Sequence, residues 1–211
     1  MSVAENKTGR VARRRQKNLK ALISAGQAVM GEKGIDAATM HEIAERADVG
    51  AGTIYTYFKS KDELAIAVLE RLMHELALKI EQVTDTFDDP AQVYAFGIRT
   101  VIDTATSDLR WKQLLNRAEV IANAMFHRMG PFAIRDLENA TEAGRFKVDN
   151  AALTWKMATH AIVGVALSVT NDECPEFTID ETVVRLLCMT GIGREEAREL
   201  AARPRPALPN A

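Results

Sequence analysis

Two cysteines, Cys174 and Cys188, stand in a chain of 211 residues, far apart and without a CxxC pair or clustered histidines. That pattern argues against a thiolate metal site or a dithiol redox centre, and so few thiols suit a reducing compartment. Glu70 and His74 share a helix face at i, i+4, but no third ligand accompanies them, so neither a metal nor another cofactor is expected. Long apolar runs are also missing. The longest, Ala161 to Val169, falls well short of the ~20 residues that cross a bilayer. The opening residues are polar and basic, which does not resemble a secretory leader. Nor is there an excess of either charge: 27 Lys and Arg face 29 Asp and Glu, giving a net charge of −2 and a pI near 6.1. The expectation is a soluble, cytoplasmic globular protein with no membrane partner, long enough for one or two domains with a sizeable core.

The charge that is present is unevenly placed. Residues 1–20 carry Lys7, Arg10, Arg13, Arg14, Arg15, Lys17 and Lys20 against Glu5 alone, while acidic residues concentrate downstream. A basic end on an acidic body suggests that one part meets phosphates and another does not. Next to this end lies the most informative stretch, Thr39 to Leu64. Thr39-Met40-His41-Glu42 and Ser60-Lys61-Asp62-Glu63 both have the S/T-x-x-E form that caps a helix start. Between them Ala47-Asp48-Val49 interrupts two short helical patterns, and Asp tolerates the left-handed conformation of a tight turn. Short helix, turn, short helix is the layout of a helix-turn-helix, whose second helix enters the DNA major groove.

Helical periodicity dominates the remainder, with no convincing strand pattern. Leu19, Leu22, Ile23, Gly26, Val29 and Met30 trace one amphipathic helix that Gly31 and Gly34 loosen and end. Met40, Ile43, Ala44 and Ala47, with Ile54 and Phe58, complete a three-helix core. A long helix follows Ser60 with Leu64, Val68, Leu72, Leu76, Ile80 and Val83 on one stripe, and Asp89-Pro90 opens the next as cap and first residue. Trp111, Leu115, Ala118, Ala122, Met125 and Met129 define a helix that Gly130-Pro131 should break, with another from Pro131 to Ala143 ended by Gly144. In the last two long helices, Ala151 to Val169 and about Ile179 to Thr190, small and apolar residues occupy opposing faces. Ala158, Ala161, Gly164, Val165, Val183 and Leu187 are the candidates to meet a second copy of the chain. A short charged helix from Arg194 follows, and Pro204 to Ala211 reads as a disordered tail. The expected fold is all-α, with about nine or ten helices: a helix-turn-helix domain with a basic arm over 1–60 and a larger helical bundle over 61–211.

Gly52-Thr53-Ile54-Tyr55-Thr56-Tyr57-Phe58-Lys59-Ser60-Lys61-Asp62-Glu63-Leu64 closely resembles the recognition helix and fourth-helix start of the TetR family of bacterial transcriptional regulators. Ile43 to Val49 is similar to that family's second helix and turn, and the resemblance covers roughly residues 13–65. It implies a phosphate contact for Thr39, backbone contacts for Tyr55 and Tyr57, a phosphate anchor at Lys61, and a base or phosphate contact for Thr53. The chain departs from the pattern at Asp48 for a usual Gly, Gly50 for a capping Ser, and Ala51 for a long basic side chain. No Arg or Gln is left on this helix for bidentate base readout, which points to thymine-methyl contacts from Ala51 or Thr53 and to reading of DNA shape. Beside such a motif, Arg13 and Arg14 are expected on the backbone or in the minor groove.

The resemblance further implies an effector pocket in the larger domain. Trp111, Met125, Phe126, Met129, Phe132 and Trp155 are the large, adaptable side chains suited to a small apolar ligand, with His160 beside them. Asn116, Glu119 and Asn123 form a polar stripe that reads as solvated. The resulting expectation is a homodimeric, ligand-responsive repressor of double-stranded operator DNA. An architectural DNA binder without an effector, and a helical enzyme acting on an apolar substrate, are the alternatives. The sequence offers no nucleophile–base pair or phosphate loop for the enzyme.

Overall fold

A computed structural model describes residues 3–114, 117–171 and 179–209. Leu115, Asn116 and Cys174 lie outside the described residues. Among these there are ten helices and no strand: α1 (Val3–Ala37), α2 (Met40–Arg46), α3 (Ala51–Tyr57), α4 (Lys61–Thr84), α5 (Pro90–Ser107), α6 (Leu109–Leu114), α7 (Ala118–Glu142), α8 (Ala151–Thr170), α9 (Ile179–Cys188) and α10 (Arg194–Ala202). The chain divides into two compact units, Met1–Leu69 and Glu70–Ala211.

The first unit is built by local signals. Gly34, at φ 83°, interrupts α1, whereas Gly31 stays within it. Thr39 caps α2 by accepting the Glu42 amide at 3.3 Å. The Glu42 carboxylate does not complete a capping box but pairs with Lys33 at 2.5 Å, tying α2 to the end of α1. Arg46 and Glu32 make a second tie at 2.6 Å. Among the described residues Asp48 is the one non-glycine with positive φ, at 53°, and it forms the turn into α3. Ser60 accepts the Glu63 amide at 3.1 Å, and the Glu63 carboxylate reaches back to the Lys59 amide at 2.6 Å. Leu22, Val29, Met30, Ile43, Ile54 and Phe58 fill the core together with Leu64 and Val68 from α4. Gly26 lets α1 approach α4, because a Cβ there would stand 3.1 Å from Val68 Cγ2. The first turns of α4 therefore belong to this unit's core.

In the second unit α5 packs against α7, α8 and α9, and α7 lies along α8. Asp89 caps α5 by accepting the Ala91 amide at 3.0 Å, with Pro90 in the first turn where its missing N–H costs nothing. The expected break at Gly130-Pro131 does not occur, since α7 runs through Pro131 to Glu142. An interior proline costs ~3 kcal/mol. Burial of Ile121, Met125 and Met129 before it, and of Leu137 and Ala140 after it, outweighs that cost. Gly130 also admits the Trp155 indole, which donates to the Phe126 carbonyl at 3.3 Å. The single helix expected from Trp111 to Met129 is instead two, α6 and α7.

Arg205, within the segment expected to be a loose tail, is held by an ion pair, and Arg203 just before it is anchored as well. Arg203 donates to Asp89 at 2.7 Å and to Gln92 at 3.0 Å, and Arg205 to Asp103 at 2.6 Å. Asp89 also accepts from Arg145 at 3.0 Å, so the start of α5 holds two guanidiniums from distant parts of the chain. Helix α8 has the length and mean hydropathy (1.3) of a membrane span, unlike the shorter run within it. It is a core helix here, with Trp155, Ala158, Thr159, Ile162, Val163 and Ala166 buried.

Candidate DNA-contact surface and interior cavity

Helix α3 is anchored from below by Ile54 and Phe58, which are almost fully buried. That anchoring turns Tyr55 outward, 58% exposed, with Thr56 beside it and Tyr57 half-buried. Gly50 caps the helix with no side-chain hydrogen bond, as its residue type requires. Gly50, Ala51 and Gly52 are all exposed, and space beyond Gly52 is open. This end of α3 is a low, nearly featureless backbone surface that a duplex could approach closely. Thr39 and half-buried Thr53 lie in the same unit. Lys61 opens α4, and its ammonium donates to the Asp36 carbonyl at 2.7 Å, leaving two further N–H donors. Arg13 and Arg14 are exposed and helical rather than extended.

The second unit holds a small, partly open cavity lined by residues of α4, α5, α7 and α8. Met129, Phe132 and Trp155 line it, as their size and flexibility suggest. Trp111 and Met125 do not: both are wholly buried in the core, where their helix faces are taken up by packing. Phe126 turns away toward Lys156, whose ammonium lies 5.0 Å from the ring centroid. His160 is exposed, its Nδ1 held 2.8 Å from the Lys156 carbonyl one turn back.

The polar groups of the cavity are Tyr94 and Asp136, which residue-type reasoning passed over. Asp136 sits one turn beyond Phe132, on the stripe that Met125, Met129 and Phe132 define, so a carboxylate on an apolar stripe was the available signal. Burial pushes its pKa up, with the neighbouring Arg135 pulling the other way and Glu81 adding to the rise. Burial, reinforced by the Asp136 charge, likewise raises the Tyr94 hydroxyl. Arg135 grips Asp136 at 2.8 Å through Nη2, lies 5.9 Å over the Phe132 ring, and bonds Glu81 of α4 through Nη1. The cavity carboxylate and α4 therefore share one guanidinium. No group of three or more potential metal ligands occurs among the described residues.

Of the expected subunit contacts, Ala158, Val183 and Leu187 are buried within the chain's own core, because α9 spends its apolar face on α5 and α10. Ala161 and Val165 are half-buried and Gly164 is exposed. The open apolar stripe of α8 is instead Leu153 and Met157, 56% and 54% exposed, continuing to Gly164.

Short helix, left-handed turn, anchored second helix and capped third define a helix-turn-helix regulator. Comparison with known proteins gives the family. Residues 22–68 match the N-terminal model of the tetR family of bacterial regulatory proteins, and residues 89–203 match a tetracyclin repressor-like C-terminal domain. The chain belongs to the tetR family. It is 29% identical over 122 residues to the HTH-type transcriptional repressor KstR of Mycolicibacterium smegmatis, across 58% of this chain and 59% of that protein. It is 32% identical over 110 residues to the transcriptional activator FasR of the same organism, across 52% of this chain and 50% of FasR. The chain thus spans between half and three-fifths of the length of these curated relatives. The crystal structure of RolR in complex with its ligand resorcinol superposes with a TM-score of 0.83 at 28% identity, covering 94% of this chain and 100% of RolR.

Proposed function

We propose that this protein is a cytoplasmic, homodimeric transcriptional repressor whose hold on operator DNA is released by a small, largely apolar effector, and that it is not an enzyme. The observation that carries this reading is the cavity whose wall includes Ala77 and Ile80 of α4, the helix whose first turns belong to the recognition unit's core. In this reading Tyr55, Tyr57, Thr39 and Lys61 hold the phosphate backbone, while Thr53, Gly50 and Ala51 face the bases. Two copies, joined through the open Leu153, Met157 and Gly164 stripe of α8, place two recognition helices in successive major grooves.

The cavity is small and walled by Met129, Phe132 and Trp155, which suits a single substituted ring better than a long acyl chain. RolR, similar over nearly the whole chain, binds resorcinol, which supports a ring bearing hydroxyl groups. A ligand hydroxyl that donates to Asp136 competes with Arg135 for the same carboxylate. Arg135 then changes its hold on Glu81, and α4 shifts. An effector can weaken DNA binding only by its differential affinity for the two arrangements, typically 1–3 kcal/mol.

The direct test is fluorescence anisotropy on duplexes from the DNA flanking the chain's own gene, with oligomeric state measured in parallel. Saturable, sequence-dependent binding by a dimer is the expected result. Dimeric protein that binds no such duplex at low salt would defeat the reading. A duplex affinity that no small ring alters would favour an architectural role instead.

A further inference from the structure

Helix α1 begins at Val3, and from Arg10 onward the first fully buried residue is Leu22. Every residue from Arg10 to Lys17 is exposed. At 1.5 Å per residue the segment ahead of Leu22 extends roughly 28 Å as a helical arm. Arg10, Arg13, Arg14, Lys17 and Lys20 follow i, i+3, i+4, i+7, i+10, so they fall on one stripe. At 100° per residue that stripe is on the opposite side of the helix from Leu22, Gly26 and Val29, which face the core.

We propose that this stripe is a helical phosphate clamp, in which Arg10, Arg13, Arg14, Lys17 and Lys20 run along the DNA backbone beyond the contact made by α3. The inference rests on the reading of the first unit as a DNA binder. Shape decides between the two contacts open to a basic arm. An α-helix with its side chains is about 10–12 Å across, while the minor groove is about 6 Å wide. A helical arm lies over the phosphates and does not thread the groove. Along the helix axis the charges on the stripe are spaced about 4.5 Å apart, with Arg13 and Arg14 about 1.5 Å apart, close enough to meet successive phosphates.

Chemistry also selects nucleic acid over a lipid surface. Residues 3–18 contain no Leu, Ile, Met, Phe or Trp, so the arm has no apolar face to bury in a bilayer. The clamp also answers a shortage on α3, where Gly50, Ala51 and Gly52 offer little side chain to hold DNA. It supplies affinity without sequence information, leaving discrimination to Thr53 and to the shape of the duplex.

The test compares the full chain with the variant Arg10→Gln, Arg13→Gln, Arg14→Gln, Lys17→Gln. Gln keeps helix propensity close to that of Arg and Lys, and circular dichroism confirms that α1 is retained. Affinity for the operator and for a random duplex of equal length is measured across a salt series. With four charges removed from each of the two copies, the slope of log K against log salt should fall by about 7, near 0.9 for each phosphate that is no longer neutralised. Both duplexes should weaken by the same factor, at least about tenfold at low salt, so that the ratio between them is unchanged. An unaltered slope overturns the clamp while leaving the DNA-binding reading standing. Weakening confined to operators with A·T-rich flanks overturns it in favour of minor-groove reading. Wild-type protein that binds phosphatidylserine vesicles more tightly than either duplex overturns it in favour of a membrane arm. Wild-type protein that binds neither duplex removes the DNA-binding reading itself, and the clamp with it.

Discussion

In the first unit, the bonds around the α3 surface span short stretches of sequence: Thr39 with Glu42 and Ser60 with Glu63 three apart, Lys33 with Glu42 nine apart, and Lys61 with Asp36, the longest of these, 25 apart. In the second, Asp89 is gripped by Arg145 and Arg203, 56 and 114 residues away, and Glu81 by Arg135, 54 away. The recognition surface is thus written in neighbouring residues, while the cavity exists only once distant helices have met. Mutations should reveal the same contrast. Changes in the second unit should act on global packing, and those in the first on a single cap or turn.

The sharpest way to break this contrast is Trp155→Ala. Trp155 is buried, lines the cavity and donates to Phe126 beside Pro131. Its removal should cost about 3–5 kcal/mol and lower the melting temperature by many degrees, as calorimetry would measure. A cost below about 1 kcal/mol would mean that α7 and α8 do not depend on Trp155. Asp89→Ala comes next, at about 1–3 kcal/mol, because it removes the α5 cap and takes one carboxylate partner from each of two guanidiniums, leaving Arg145 with Glu196 and Arg203 with Gln92. Burial works against the Asp89 carboxylate, but Arg145, Arg203 and the Ala91 amide together hold its pKa below the ordinary value. A lowered folded pKa contributes stability above the ordinary carboxylate value, and that stability is lost as pH falls through the folded one. Thermal melts of the wild type should therefore weaken in acid more than those of Asp89→Ala. Parallel curves would show that Asp89 contributes nothing to the acid sensitivity.

Effects in the first unit should be smaller and local. Asp48→Val forces a β-branched residue into φ 53° and should cost about 1–2 kcal/mol, whereas Asp48→Gly should be close to neutral. Chemical denaturation distinguishes the pair, and equal destabilisation would place the role of Asp48 in its carboxylate. Smallest of all, Gly50→Ser should add a cap to α3 worth a few tenths of a kcal/mol. A Cβ at Gly50 would meet Thr53 Oγ1 at an ordinary 3.5 Å, so space permits the change.

This contrast also sets how much could be read from the chain alone. Thr39, Asp48, Ser60 and Asp89 were legible as cap and turn residues because their partners are a few positions away. Gly50 was legible as a weak cap for the same reason. Pro131 misled because its local penalty is outweighed by packing against α8, which local sequence does not display. At the start of the tail, Arg205 is likewise held by Asp103 within α5, a partner that local sequence does not display. Met129, Phe132 and Trp155 were identifiable as cavity residues by type. Trp111 and Met125, of the same type, are core, and only three-dimensional packing separates them. Asp136 and Tyr94 were missed because a polar residue on a helix is ordinarily read as solvated, although the Asp136 position on an apolar stripe marked it. In α9, periodicity located the apolar face but not what covers it, so Val183 and Leu187 proved to be intrachain core.

In the proposed function, occupancy of the Asp136 cavity is coupled to DNA affinity through α4. The most direct test of this claim is operator binding by anisotropy, with and without a dihydroxybenzene, in the wild type and in Arg135→Gln, while calorimetry records ligand binding to each. The liganded wild type should bind DNA at least about tenfold more weakly, and the change should be clearly smaller in Arg135→Gln although the ligand still binds. Ligand binding in the cavity of the wild type with no change in DNA affinity would contradict the claim.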